Sequence, residues 1–155
     1  MHFEQFSPVL HIIIDNDYNL NCMNTFSRTI PSSTESIESL IIDAMDYLLL
    51  LKNNGRAAHV DEFNYRLALD ESLENALRHG NRYEAGKFIS VMIEADDHRA
   101  FITVCDEGDG FCIEDVPSPV EEKHAFRPNG RGLHLLRNLC TVEWLNNGRC
   151  IRIEV

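Results

Sequence analysis

The chain has 155 residues, 44% of them hydrophobic and 25% charged, the size and balance of one soluble domain with its own core. Its 25 acidic residues against 14 Lys and Arg leave a net charge of −11. The basic footprint that nucleic acid requires is missing, and any anionic ligand must be held by local features rather than by the overall field.

Five cysteines stand at 22, 105, 112, 140 and 150. An odd count without Cys-x-x-Cys spacing offers neither a zinc signature nor a disulfide framework, and predicts free thiols in a reducing compartment. Met1-His2-Phe3-Glu4 lacks the basic head and apolar run of a signal peptide, and the longest apolar stretch, 47–51, is too short to span a bilayer. A cytoplasmic protein without membrane contact is expected. The 47–51 stretch itself reads as core or dimer surface.

In chain order, an apolar run over 9–14 predicts a strand that ends at Asp15-Asn16-Asp17, and weak alternation over 24–30 predicts a second. Ser32 is placed to cap a helix, with Glu35 completing a capping box and Pro31 just outside. Ile37, Leu40, Ile41, Ala44, Leu48 and Leu51 recur at helical spacing until Asn53-Asn54-Gly55. A second helix over 60–79 carries the stripe Tyr65, Leu69, Leu73 and Ala76 and stops at Gly80-Asn81. Strands over 87–94 and 99–105 flank a hairpin turn at Ala95-Asp96-Asp97-His98. A long loop over 107–129, with Pro117, Pro119 and Pro128, has the length of a functional one. A helix over 132–139 and a closing hairpin, 142–145 and 150–155 about Asn146-Asn147-Gly148, complete the chain. Trp144, in apolar company, is expected to pack on the sheet. Paired strands with helices grouped between them predict an α+β fold, a two-layer α/β sandwich. Its sheet is mixed but mostly antiparallel, with helices on one face.

Three features could carry chemistry. Glu71 and Asn75 lie four apart on the second helix, so they share a face opposite the apolar stripe. A carboxylate beside a carboxamide offers hard oxygen ligands for Mg²⁺ and a proton acceptor, though alone the pair equally reads as a solvated helix face. Asp106 ends an apolar strand and is followed by Gly108 and Gly110. A strand-end carboxylate can accept from an exocyclic amine, and glycines let a flat ring approach the backbone; a simple glycine turn fits as well. Asn129-Gly130-Arg131-Gly132-Leu133 opens a helix, where backbone N–H groups and the dipole make a phosphate site or, again, a structural turn. It matches neither a Walker A loop nor a Rossmann fingerprint. His79 and Arg78 read as helix-end residues, His124 and Arg127 as solvated loop positions, and Glu121-Glu122 as solvent-exposed acids.

In this order the features resemble the GHKL ATP-binding superfamily (gyrase, chaperone, histidine kinase and mismatch-repair ATPases), with its N box and two glycine boxes. The run from Leu69 through Asp70-Glu71-Ser72-Leu73-Glu74-Asn75-Ala76 to Gly80 is similar to the N box of the anti-sigma-factor serine kinases. Gly130-Arg131-Gly132-Leu133-His134-Leu135-Leu136 is similar to that group's second glycine box. The resemblance covers the chain from Arg66 to its end and implies the Bergerat fold over a single domain, 1–155. Residues 1–21 would be an added strand or a partner-binding arm, and 112–129 an ATP lid. It implies ATP and Mg²⁺, with Asn75 holding the metal and Glu71 as general base. Asp106 would bind the adenine amine, Gly108 and Gly110 shape the base pocket, and Gly130, Arg131, Gly132 and Leu133 wrap the phosphates. Cys150 stands where the family often has Thr or Ser near the adenine, which implies weaker nucleotide binding.

The activity implied is that of a protein serine/threonine kinase and anti-sigma factor that phosphorylates a STAS-type antagonist and binds a sigma factor, as a homodimer. A non-catalytic ATP-binding module that switches protein partners is the second reading. A histidine kinase catalytic domain would need a helical hairpin with a phosphorylatable His, for which the fold leaves no room within 33–80.

Overall fold

A computed structural model of the chain describes residues 11–13, 23–110 and 131–155, the first three and Arg131 by backbone alone. Its strands are β1 (His11–Ile13), β2 (Asn24–Pro31), β3 (Phe88–Ala95), β4 (Ala100–Asp106), β5 (Thr141–Leu145) and β6 (Cys150–Glu154). They form one six-stranded sheet in the order β1-β2-β3-β4-β6-β5. Every pairing among the described residues is antiparallel. Burial alternates cleanly along the strands. In β3, Ile89, Val91 and Ile93 are buried while Phe88, Ser90 and Met92 are exposed, so one face carries the core and the other is open.

Among the described residues three α-helices, α1 (Thr34–Asn53), α2 (Glu62–Asn75) and α3 (Arg131–Leu139), accompany the sheet. The expected stripes are the ones that pack: Leu40, Ala44, Leu48 and Leu51 of α1, and Tyr65, Leu69 and Leu73 of α2, are all at most 2% exposed. Cutting Leu69 or Leu73 back to Ala would cost about 2–5 kcal/mol in lost transfer energy and cavity. Tyr65 donates its hydroxyl to the Ala44 carbonyl at 2.9 Å, joining α2 to α1, and an Arg28–Asp43 ion pair joins β2 to α1. No helix among the described residues is long and apolar enough to cross a membrane. In the 47–51 stretch Tyr47, Leu48 and Leu51 are core, while Leu49 and Leu50 are exposed.

Local details depart from the sequence expectation, each for a physical reason. Ser33, not Ser32, caps α1, its Oγ accepting from Ser36 N–H at 3.2 Å. The β2–β3 ladder extends through Pro31 opposite Phe88, and Ser32 N–H donates to the Lys87 carbonyl, which delays the helix by one residue. The second helix begins after Asp61, whose carboxylate accepts from Asn64 N–H, and stops being α-helical at Asn75. Residues Ala76–Gly80 form a π turn, closed by Asn81 N–H on the Ala76 carbonyl at 2.7 Å, five residues back rather than four. The closing hairpin turns through Asn146 and Asn147, both at positive φ, as a type I′ turn demands.

The expectation of free thiols fails for one pair. Cys105 and Cys150 face each other directly across β4 and β6, Cα atoms 4.1 Å apart, and form a disulfide. The two lie 45 residues apart, and only the return of β6 beside β4 makes them neighbours. Cys140 is free.

Candidate functional site

A cleft of about 270 Å³ opens where the end of α2 and the π turn meet β4, the β5–β6 hairpin and α3. Strand alternation builds its apolar wall. Val104 of β4 pairs with Ile151 of β6, and Ile151 with Trp144 of β5, so the three side chains stand in a row on the helix-covered face. Asp106, two residues beyond Val104, opens onto the same cleft. Cys105 and Cys150 are one residue out of phase and turn to the open face, so Cys150 does not stand beside the cleft as its position in the family pattern implied. Trp144 does pack against the core as expected, and it also lines the cleft.

Glycines shape the Asp106 end. A Cβ on Gly80 would overlap the Asp106 carboxylate, and one on Gly108 would overlap the Gly80 carbonyl. Gly108 N–H donates to Asp106 Oδ1 at 2.8 Å, and no hydrogen bond to Oδ2 is formed among the described residues. Gly110 combines a φ of +73° with a Cβ direction blocked by the Asn147 carbonyl, so no other residue fits there. Burial raises the Asp106 pKa above the ordinary carboxylate value, against the smaller opposing pull of the Gly108 N–H, Arg149 and Lys87.

At the other end, Glu71 and Asn75 stand one helical turn apart, both half-buried. The Glu71 carboxylate lies against Gly132 in the first turn of α3, in space that a Cβ on Gly132 would fill. Burial, and then the nearby charges of Asp70 and Glu74, raise the Glu71 pKa. The Asn75 Nδ2 is buried without a hydrogen-bond partner, and Asn75 lines the cleft. The first turn of α3 adds unpaired N–H groups and the positive end of a nine-residue helix.

Asn75, Asp106, Gly110 and Leu133, widely spaced in sequence, thus line one cleft, while Glu71, Gly108 and Gly132 stand beside it, Glu71 against Gly132 and Gly108 against Gly80 and Asp106. Arg131 begins α3, while Gly130 and the segment 112–129, with His124, Arg127 and Glu121-Glu122, lie outside the described residues. Arg78 is spent on Glu74 at 3.1 Å, as a helix-end residue should be. His79, expected in the same role, instead lines the cleft, one helical turn beyond Asn75. Sequence reasoning missed Gly80, Arg137 and Arg149, which also line it. Gly80 carried a readable signal, a glycine directly after a helix end, but it read only as a stop.

The arrangement suits a ligand with two unlike ends. An apolar slot with one buried carboxylate accepts a planar ring bearing an amine. A helix N-terminus beside a carboxamide and a carboxylate suits phosphate and a hard cation. Among the described residues no group of three or more His, Cys, Asp or Glu is placed to hold a metal ion. Residues 43–155, well over half of the chain, match the family model of the histidine kinase-like ATPase domain. No curated protein matches the chain.

Proposed function

The chain belongs to the histidine kinase-like ATPase domain family, a family of ATP-using domains, and from that premise we propose that it is an ATP-dependent protein serine/threonine kinase and anti-sigma factor. Its phosphoryl acceptor is a Ser or Thr of a STAS-type antagonist, its other partner is a sigma factor, and it acts as a homodimer. The observation that carries the kinase reading is the position of Glu71. Its carboxylate, with a raised pKa, sits one helical turn from Asn75 and against the first turn of α3, at the opposite end of the site from Asp106.

Phosphoryl transfer asks the protein mainly for positioning and charge neutralisation. In this reading Asp106 takes the adenine amine between Gly80 and Gly108. Asn75 offers its carboxamide oxygen to Mg²⁺, which neutralises phosphate charge when bound. The N–H groups at the start of α3, with Gly130 and Arg131, hold the phosphates. Glu71 takes the proton of the attacking hydroxyl, and a pKa raised towards neutrality favours that role. A cytoplasmic site of action belongs to the same proposal; the Cys105–Cys150 disulfide would form there only under oxidising conditions.

The test is incubation with Mg-ATP and candidate STAS proteins, comparing wild type with Glu71→Ala. Phosphoserine or phosphothreonine made by wild type alone supports the kinase. If both proteins bind ATP and neither transfers phosphate, the kinase reading is lost, and an ATP-binding module that switches partners without transfer takes its place.

A further inference from the structure

Asn81 directly follows the π turn and is fully buried, at 0% exposure. A polar side chain sits that deep only when its amide is matched. Its Nδ2 donates to the Phe88 carbonyl at 2.9 Å and to Ser32 Oγ at 3.2 Å, while its Oδ1 accepts from Glu107 N–H at 2.8 Å. The two backbone partners decide which end of the amide is which, since a carbonyl needs a donor and an N–H an acceptor. One side chain therefore ties together the β2–α1 junction, the start of β3 and the loop after β4. Glu107 reinforces the tie, its Oε2 accepting from Phe88 N–H at 2.8 Å.

Glu107 follows Asp106, so the peptide that leaves Asp106 is held by Asn81. On the other side, Gly80 seats the Asp106 carboxylate and Gly108 N–H holds Oδ1. Keeping Asn81 in place is itself costly. The chain leaves it through Arg82 and Tyr83, at φ 53° and 57°, a left-handed pair unfavourable for residues other than glycine. Tyr83 N–H on the Leu77 carbonyl and Glu84 N–H on the Asn81 carbonyl close that turn, at 3.0 and 2.9 Å.

We infer that Asn81 is a positioning residue for base selection: it holds the Asp106–Glu107 peptide so that the Asp106 carboxylate discriminates ATP from GTP. The inference rests on the proposed role of Asp106 at the adenine. Adenine presents an amine donor where guanine presents a carbonyl acceptor. A well-aimed carboxylate attracts the first and repels the second, and a misaimed one loses the difference.

Asn81→Leu, close in size, removes all three side-chain bonds. Equilibrium binding of ATP and of GTP to the folded variant is expected to show the ATP:GTP affinity ratio falling at least about tenfold. Loss of folded protein alone lowers both affinities together and leaves their ratio unchanged. An unchanged ratio in Asn81→Leu overturns the inference. Should Asn81→Leu not fold, amide exchange in the wild type decides: Glu107 N–H should exchange at least about a hundredfold more slowly than Asp109 N–H. Equal rates overturn the clamp. Asp106→Asn, measured alongside, separates the two levels. If it too leaves the ratio unchanged, the base reading itself fails; if it lowers the ratio while Asn81→Leu does not, only the role of Asn81 is lost.

Discussion

The two ends of the cleft are built on opposite principles. Around Asp106 nearly every polar group is matched: Gly108 N–H on Oδ1, Glu107 N–H on Asn81, and the Asn81 amide on Phe88 and Ser32. Around Glu71 the groups are left wanting. The Asn75 Nδ2 is buried without a partner, and the Glu71 carboxylate is partly desolvated beside two other acids. A matched end gives a fixed shape, which suits recognition of a rigid ring. An unmatched end holds free energy in reserve for charges that arrive with the ligand, which suits phosphate and metal. Chemistry is therefore expected to be sensitive at the Glu71 end, and binding and stability at the Asp106 end.

The largest effect should come from the unmatched end. Glu71→Gln keeps the shape and removes the proton acceptor, so phosphoryl transfer should fall by about 10²–10⁴-fold while ATP affinity stays close to wild type. Single-turnover transfer alongside equilibrium ATP binding checks the split. A parallel loss of affinity would mean that Glu71 holds ligand rather than moves a proton, and the comparison would collapse.

Next in size is the covalent support behind the matched end. The Cys105–Cys150 bond lies on the back of the same two strands that carry Val104, Asp106 and Ile151, and it closes a loop with a sequence separation of 45. Replacing both cysteines by Ser should cost about 2–4 kcal/mol, read as a lower denaturant midpoint. Amide exchange should rise along β4 and β6 and stay unchanged in α2. Softening at the Glu71 end instead would show that the two ends are one cooperative unit.

Asp106→Asn comes third. It replaces an acceptor-only carboxylate with a group that can present a donor to the amine, and ATP affinity should fall by about 10–100-fold by titration. Unchanged affinity would sink the placement of the base at this end.

Much of this was legible in the sequence where the signal is local. The stripes of α1 and α2 follow a 3.6-residue period, and the same period put Glu71 and Asn75 together on one face. Asp106 could be read because a strand-end carboxylate before two glycines is a short-range pattern. What escaped depends on strand order or on a backbone shift. Trp144 read as sheet packing alone because its register with Ile151, and that of Ile151 with Val104, is set by the return of β6 beside β4. The same return makes the disulfide that the cysteine spacing hid. His79 and Gly80 follow Asn75 and Ala76 by four residues, so their place in the cleft obeys the same helical period and was readable. The π turn, by contrast, moves one hydrogen bond by one residue and leaves no periodic trace, so the placing of Asn81 behind the cleft was invisible. Ser32 and Ser33 are both competent caps, and only the length of the β2–β3 ladder chooses between them.

The smallest expected effect is the most direct reading of the unmatched end. A carboxyl whose pKa is higher in the fold than in the unfolded chain holds its proton more tightly when folded. Between those two values the native state binds more protons, so stability falls as pH rises through the window. Below the unfolded value both states are protonated and the handicap disappears. Burial and the charges of Asp70 and Glu74 put Glu71 in this class. Glu71→Gln, which cannot ionise, should therefore melt slightly above wild type at neutral pH, and the gap should close as pH falls through the raised pKa. Asp106 is raised in the same sense, but it is present in both proteins and largely cancels in their difference. A gap of constant size across pH would assign any gain to packing against Gly132. A variant less stable than wild type at neutral pH would mean that the charge of Glu71 is already matched by the first turn of α3, and that this end of the cleft holds nothing in reserve.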